Sequence, residues 1–449
     1  MGVNPQHAEA LLALPVLELR DRLASGALSA LDLTQACIAR IAAREPEIGA
    51  WAWFDSDYAC EQARALDARR ATGLPTGPLH GLPVGLKDII DTAKVPTENG
   101  CEADQGRVPK KDAFVVERLK AAGAVIMGKT VTTELAFMRP SKTRNPHDTS
   151  HTAGGSSSGS AAAVAAGMIP LAVGTQTGGS VIRPAAFCGV TGFKPTFGAI
   201  PRRGILMQSP SLDTVGVFAA DPAGAALLAE VLYGHDPSDP ATAPRPFPRL
   251  SKTALSKPPV LPDFAFVRPP GWDAADQDTR DALAELVAAL GDKVIEVALP
   301  APFEAAARER RRINFAEMAR HYFRYGRDAQ DMLGPEIRGA LEDGNAILAR
   351  DYLAALDWKP VLNAALCEIF ERCDAILCPA APGPAPRDVG TTGDPVFNSL
   401  WTFCGTPAVT LPLLTATNGM PMGVQLVGSH GNDARLLRTA RWLYDWANH

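Results

Sequence analysis

The sequence of 449 residues predicts an α/β fold, one sheet covered by helices on both faces. Three observations carry that expectation. Short apolar, β-forming runs alternate with helical periodicity from Trp51 to the C-terminus, the pattern of a sheet enclosed between helices. A hydrophobic fraction of 46% is that of a globular chain with a sizeable core. Length alone would suggest about three domains at roughly 150 residues each. The chemistry-bearing clusters, however, run from Lys87 to the C-terminal quarter, which favours one large unit with an insertion.

Taken in order, residues 15–25 and 31–43 have helical periodicity, with Ile38 and Ile41 on one face. Ser29 followed by Asp32 is an N-cap signal for the second. Residues 51–54 read as a strand and 58–72 as a helix with alanines on its buried side. Residues 82–90 are an apolar run interrupted by Lys87-Asp88, and a cation there is the unusual feature. An arbitrary lysine at such a place would be a solvated strand end. A helix over 112–122 and a buried strand over 124–127 follow. Residues 154–194 organise the rest. Gly154-Gly155-Ser156-Ser157-Ser158-Gly159-Ser160 and Gly178-Gly179-Ser180 flank a segment rich in Ala and Val. That segment is too short and interrupted for a membrane span, which needs about 20 apolar residues. A helix from about Ser160 to Gly167, then a strand over 169–173, puts one cluster at a helix N-terminus and the other just after a strand. Backbone N–H groups at both can face an anion or oxyanion. A flexible linker is the bland alternative, but a linker would not carry the apolar segment between its halves.

Beyond 197 the sequence reads as loops and short strands to Val217, then a helix over 222–232. Residues 235–262 are rich in Pro and Ser and read as a surface connection. Helices are expected over 278–290, 303–318, 347–355, 363–373, 397–403 and 434–446, and strands over 375–378, 409–412 and 423–427. Arg308, Arg310, Arg311 and Arg312 read as a solvated or ion-paired helix face.

Two motifs mislead. Gly123-Ala124-Val125-Ile126-Met127-Gly128-Lys129-Thr130 matches the phosphate-binding loop pattern, but a helix precedes its first glycine and β-forming residues fill it, so strand is the better reading. Gly155-Ser156-Ser157-Ser158-Gly159 matches the nucleophile elbow G-x-S-x-G. That would make Ser157 the nucleophile with His235, His321 or His430 as base, and leaves Lys87 and the second glycine cluster without a role.

Gly154-Gly155-Ser156-Ser157, Gly178-Gly179-Ser180, Arg183-Pro184, Phe187-Cys188-Gly189 and Lys194-Pro195 together resemble the amidase signature family. Gly85-Leu86-Lys87-Asp88 resembles its upstream G-x-K-D segment, and the two serines stand at the family spacing. GGSSSGS and GGSVIRPAAFCG are most similar to the malonamidase-like branch, with Ser158 in place of a glycine common elsewhere. The likeness runs from about Ser29 to Trp446. It implies a single amidase signature domain over 1–449, built on one mixed, twisted sheet. Residues 235–357, where it is weakest, are expected to be a more variable, mainly helical insertion covering the substrate entrance. It also implies a Ser–cis-Ser–Lys triad of Lys87, Ser156 and Ser180.

The residue chemistry agrees with that triad. Amide hydrolysis needs a nucleophile, a proton relay and an oxyanion hole. Ser180 suits the nucleophile, with the N–H groups of Thr177, Gly178, Gly179 and Ser180 converging beside it. Ser156 can relay a proton because a hydroxyl both gives and accepts. Lys87 would be the base: a solvated lysine titrates near about 10.4, and burial among Val84, Leu86, Ile89 and Ile90 lowers that value. In the malonamidase-like branch the arginine matching Arg183 is implied to hold a substrate carboxylate; a structural arginine under the sheet is the alternative. Met138, Leu206, Met207, Leu400, Trp401 and Phe403 are expected to form an apolar rim suited to larger acyl or aryl groups, including anilides and carbamates (urethanes).

Three functions follow. A stand-alone amide hydrolase leads. An amidotransferase subunit passing ammonia from glutamine to an acceptor is second. A catalytically silent binding protein is disfavoured by the complete triad. The chemistry calls for no cofactor and no metal: Cys373 and Cys378 lack a second pair of ligands, and the eight cysteines are expected to be reduced thiols. The expected partner is a small-molecule amide or carbamate, with a homodimer as the candidate assembly. A net charge of −5 weighs against nucleic acid. The N-terminus lacks the basic region of a secretory signal, so a cytoplasmic enzyme away from membranes is expected.

Overall fold

Strand β2 (Pro83–Lys87) lies between β3 (Val125–Thr130) and β4 (Leu171–Gln176), parallel to both, and all three are buried along their whole length. Strands covered on both faces read as near-continuous apolar runs rather than as alternation, as Val84-Gly85-Leu86 and Leu171-Ala172-Val173-Gly174 do before the polar residues at their C-terminal ends. In the computed structural model, which describes residues 5–448, they are the heart of an eleven-stranded mixed sheet. β1 (Trp51–Phe54) closes one edge against β3. On the other side come β6 (Thr214–Ala219), β5 (Thr191–Lys194), β10 (Ala408–Thr415) and β11 (Pro421–Val427), each antiparallel to its neighbours. β9 (Ala375–Pro379), β7 (Phe264–Val267) and β8 (Val294–Val297) complete the order, the last two parallel to their neighbours. One α/β unit flanked by helices results, as expected.

Local boundaries differ from the expected ones for identifiable reasons. The strand placed at 169–173 is β4, starting at Leu171, because Pro170 has no N–H to give a ladder. The helix expected from Ser160 begins at Ser158 and ends at Ala165. Helices Ile182–Cys188 and Pro335–Ala346 and strands β5, β7 and β8 were not expected; the first spans seven residues with Pro184 in its first turn, too little for a periodic signal. Within 235–262 the chain forms one short helix, Leu250–Ala254. The Ser29 cap is present, its Oγ accepting from Asp32 N at 3.0 Å.

The Ser158–Ala165 helix enters the sheet against bare backbone. Gly159 N donates to Val131 O, and a Cβ on Gly159 would come within 2.3 Å of both Ala50 O and Val131 N. Neither atom is the end of a flexible side chain. Gly159→Ala is therefore expected to cost about 1–3 kcal/mol by overpacking, read as a lower urea midpoint with an unchanged slope.

Candidate active site

Lys87 is the last residue of β2, and the parallel neighbour β4 ends at Gln176, so two parallel strands present their C-terminal ends side by side. That edge is where ligands collect in α/β sheets. Lys87 is fully buried, and Nζ donates to Ser156 Oγ at 2.7 Å and Thr175 Oγ1 at 3.0 Å. Burial lowers its pKa to about 7, with the nearby Asp213 acting in the opposite sense.

Two other lysines are as deeply buried, and their partners separate them from Lys87. Lys129 donates to Ile90 O and Thr97 Oγ1 and has Asp88 at 3.9 Å. Lys194 donates to the carbonyls of Pro195 and Thr406. Burial lowers the pKa of both, so a displaced pKa alone identifies nothing. Carbonyls only accept, and so hold a lysine as a donor. Lys87 meets hydroxyls alone, which can also give a proton. Lys129 also settles the phosphate-loop motif: it lies inside β3, with no loop around it.

Ser156 follows a cis Gly155–Ser156 peptide and is buried. Ser157 points away into the sheet: its Oγ donates to Thr175 O at 3.2 Å and accepts from Thr175 N at 3.3 Å. Ser180 is half-buried and lines a cavity of about 320 Å³ with Thr177, Gly178 and Gly179. Side chains pin this turn from outside. Thr177 Oγ1 donates to Asp213 Oδ1 at 2.5 Å, Thr402 Oγ1 donates to Gly178 O at 2.7 Å, and Gln176 Oε1 accepts from Val181 N and Ile182 N. The N–H groups of residues 177–180 donate to no acceptor among the described residues. Burial raises the Asp213 carboxyl to about 6 against the Thr177 hydroxyl and two backbone N–H groups. None of His235, His321 and His430 lines the cavity.

Arg183 borders the cavity but is fully buried. Nε donates to Thr392 O and Nη2 to Gly155 O, both at 2.7 Å, so it braces the backbone before Ser156. Of the expected apolar rim, Met138 lines the cavity, joined by Phe137 and Phe315, which sequence reasoning missed. Leu206 and Met207 line a small adjoining recess with Thr177 and Asp213. Leu400, Trp401 and Phe403 do not reach the cavity. They pack in a separate core cluster against the Leu362–Ile369 region, because the helix expected over 397–403 (Val396–Cys404 in the structure) is buried from Phe397 to Cys404, with only Pro395 just before it reaching the wall. The arginine cluster also departs from expectation: Arg308, Arg311 and Arg312 are ion-paired at the surface, Arg311 reaching the cavity as well, whereas Arg310 lines the cavity without an ion pair. Thr175, Asp213, Gln208 and Asn314 were missed as well. Only Asp213, the single carboxylate between Asp148 and Asp221, left a usable sequence signal.

A family model described as Amidase matches residues 32–437. The chain belongs to the amidase family. Its members act on C–N bonds, and so does this enzyme. Among curated relatives of this amidase, a glutamyl-tRNA(Gln) amidotransferase subunit of Chloroflexus aggregans is 36% identical, over 93% of each chain. Its counterpart in Anaeromyxobacter sp. (strain K) is 35% identical, over 97% of this chain and 96% of the relative. Among solved structures, a chain from a vestigial complex bearing on the origins of an s-triazine catabolic enzyme superposes with a TM-score of 0.90. It is 30% identical and covers 96% and 98% of the two chains. The peptide amidase of Stenotrophomonas maltophilia gives 0.83 at 29% identity, covering 97% of each. Among the described residues, no helix of this amidase is long and apolar enough to cross a membrane.

Proposed function

We propose that the enzyme cleaves a carboxylic amide through an acyl-enzyme on Ser180, with Ser156 as proton relay and Lys87 as base. One observation carries this: a buried lysine held only by hydroxyls, beside a glycine turn with unspent N–H groups. With the amine neutral, the 2.7 Å contact runs from the Ser156 hydroxyl to the Nζ lone pair. Ser180 Oγ bonds to the substrate carbonyl carbon and gives its proton to Ser156, whose own proton passes to Lys87. The carbonyl π pair moves to oxygen, which the N–H groups of residues 177–180 stabilise. Collapse breaks the C–N bond, and the proton returns through Ser156 to the departing amine. Water then attacks the ester by the same relay.

For what happens around that step, the curated relatives favour the amidotransferase reading over the stand-alone hydrolase. The amide would then be glutamine, and the ammonia would pass to an acceptor held with a partner subunit, which carries a cytoplasmic location with it. The stand-alone reading, covering simple amides, anilides, carbamates (a urethanase) or malonamate, rests on a different observation. Phe137, Met138 and Phe315 give the cavity apolar walls, and solved relatives include a peptide amidase and a 6-aminohexanoate cyclic dimer hydrolase. In either case the helix Ala306–His321 closes one side, the role proposed for the 235–357 segment.

The deciding measurement is amine or ammonia release by the purified chain from glutamine, aliphatic amides, anilides, carbamates and malonamate. The amidotransferase reading expects slow turnover confined to glutamine in the isolated chain. Turnover of other amides or carbamates at about 1 s⁻¹ or faster overturns it in favour of the stand-alone hydrolase.

A further inference from the structure

The helix Ala306–His321 turns Arg310 and Asn314, one turn apart on one face, toward the cavity that holds Ser180. The other arginines of the 308–312 run are ion-paired, Arg311 among them although it also lines the cavity. Arg308 and Arg312 pair with Glu309 at 2.6 and 2.9 Å, and Arg311 pairs with Asp343 at 3.0 Å and lies over the Phe315 ring. Arg310 makes no ion pair and no hydrogen bond among the described residues, and its Nε is shut off from solvent without an acceptor. Its Nη1 lies 3.7 Å from where a Cβ on Gly178 would sit, so the guanidinium stands over the turn that carries the oxyanion donors. No Asp or Glu among the described residues lines the cavity. Burial and the neighbouring Arg311 lower the pKa of Arg310 to about 10, so it stays charged at neutral pH.

Buried charges are ordinarily paired, because leaving one desolvated without a counter-ion is costly. Arg310 is half-buried in the cavity wall with no counter-ion among the described residues, and its charge faces the reaction cavity. We propose that Arg310 receives a carboxylate carried by the amide substrate, which makes the site selective for acidic amides, such as half-amides of dicarboxylic acids, over neutral ones. A guanidinium grips a carboxylate with two parallel N–H donors, which an ammonium cannot reproduce. Arg183 is the rival, but two of its nitrogens hold backbone carbonyls, and its Nη1 is packed against Gly179 with no solvent access. The proposal rests on the amide-cleaving reading of the site.

The test compares kcat/KM for malonamate, succinamate and glutaramate with propionamide, butyramide and pentanamide, in which a methyl replaces each carboxylate. Wild type is expected to favour the acidic member of at least one pair by about 10–100-fold, the worth of a charged hydrogen-bonded contact. Arg310→Gln should remove that preference and Arg310→Lys keep part of it. No preference in wild type, or an equal loss on both members of each pair in Arg310→Gln, overturns the proposal. A second arm needs no turnover: calorimetric binding of the same three acids to the Ser180→Ala chain, with and without Arg310→Gln. There the arginine should strengthen binding by a similar factor, less so at high salt, and equal affinities overturn it. Should the chain cleave none of the six amides, the stand-alone hydrolase reading fails, and the calorimetry alone decides the role of Arg310. Arg310→Lys supplies the comparison in both arms if the glutamine variant does not fold.

Discussion

Ser180→Ala is expected to abolish turnover, with kcat lower by about 10⁴–10⁶-fold, the scale seen when a serine nucleophile is removed from a relay. Thermal stability should be nearly unchanged. The Ser180 side chain is half-buried and makes no hydrogen bond among the described residues, so its hydroxyl supports reaction rather than packing. Ser157 is the control. Its hydroxyl is buried between the N–H and C=O of Thr175, and Ser157→Ala leaves that N–H without its partner. Its expected cost is about 1–3 kcal/mol of stability, with the nucleophile intact. Steady-state kinetics separate the two, and a serine-directed phosphonate should label Ser180 in wild type. Labelling of Ser157 in the Ser180→Ala chain would overturn the assignment and restore the elbow motif.

That Ser157 could compete with Ser156 and Ser180 on sequence alone shows where sequence reasoning reached its limit. The two glycine–serine clusters and the lysine in an apolar run were legible because each breaks a local rule: small residues where a packed core would place large ones, and a cation inside a strand. β2 and β4 then bring Lys87, Ser156 and the 177–180 turn together by parallel pairing, which the strand–helix alternation already required. The pocket walls broke no such rule. The four arginines within 308–312 look alike in sequence, and only packing against the Gly178 turn distinguishes Arg310 from its ion-paired neighbours. Leu400, Trp401 and Phe403 have the composition of a pocket and of a core equally. The fold assigns them to the core, where the helix is buried from Phe397 to Cys404. Arg183 was open between ligand and brace until its two backbone acceptors were visible.

Lys87 gives the sharpest test of mechanism. As the base it must be neutral to accept a proton, so the free enzyme gains activity as the ammonium loses its proton. With its pKa lowered to about 7 by burial, kcat/KM should rise about tenfold per pH unit on the acid side and level off above neutrality. The sign follows from the charge: below that pKa Nζ is an ammonium with no lone pair, and above it the lone pair faces Ser156 at 2.7 Å. Lys87→Ala should lower kcat/KM by about 10²–10⁴-fold and erase the acid limb, because the group that sets it is gone. Lys87→Arg should fail nearly as badly, since a guanidinium stays protonated at any workable pH and its planar fork does not fit a site built for two hydroxyl contacts. A histidine-based elbow predicts the reverse, with Lys87 variants active and one of His235, His321 or His430 indispensable. Near wild-type rates in Lys87→Arg, in a chain with an unchanged melting temperature, would rule out lysine as the base.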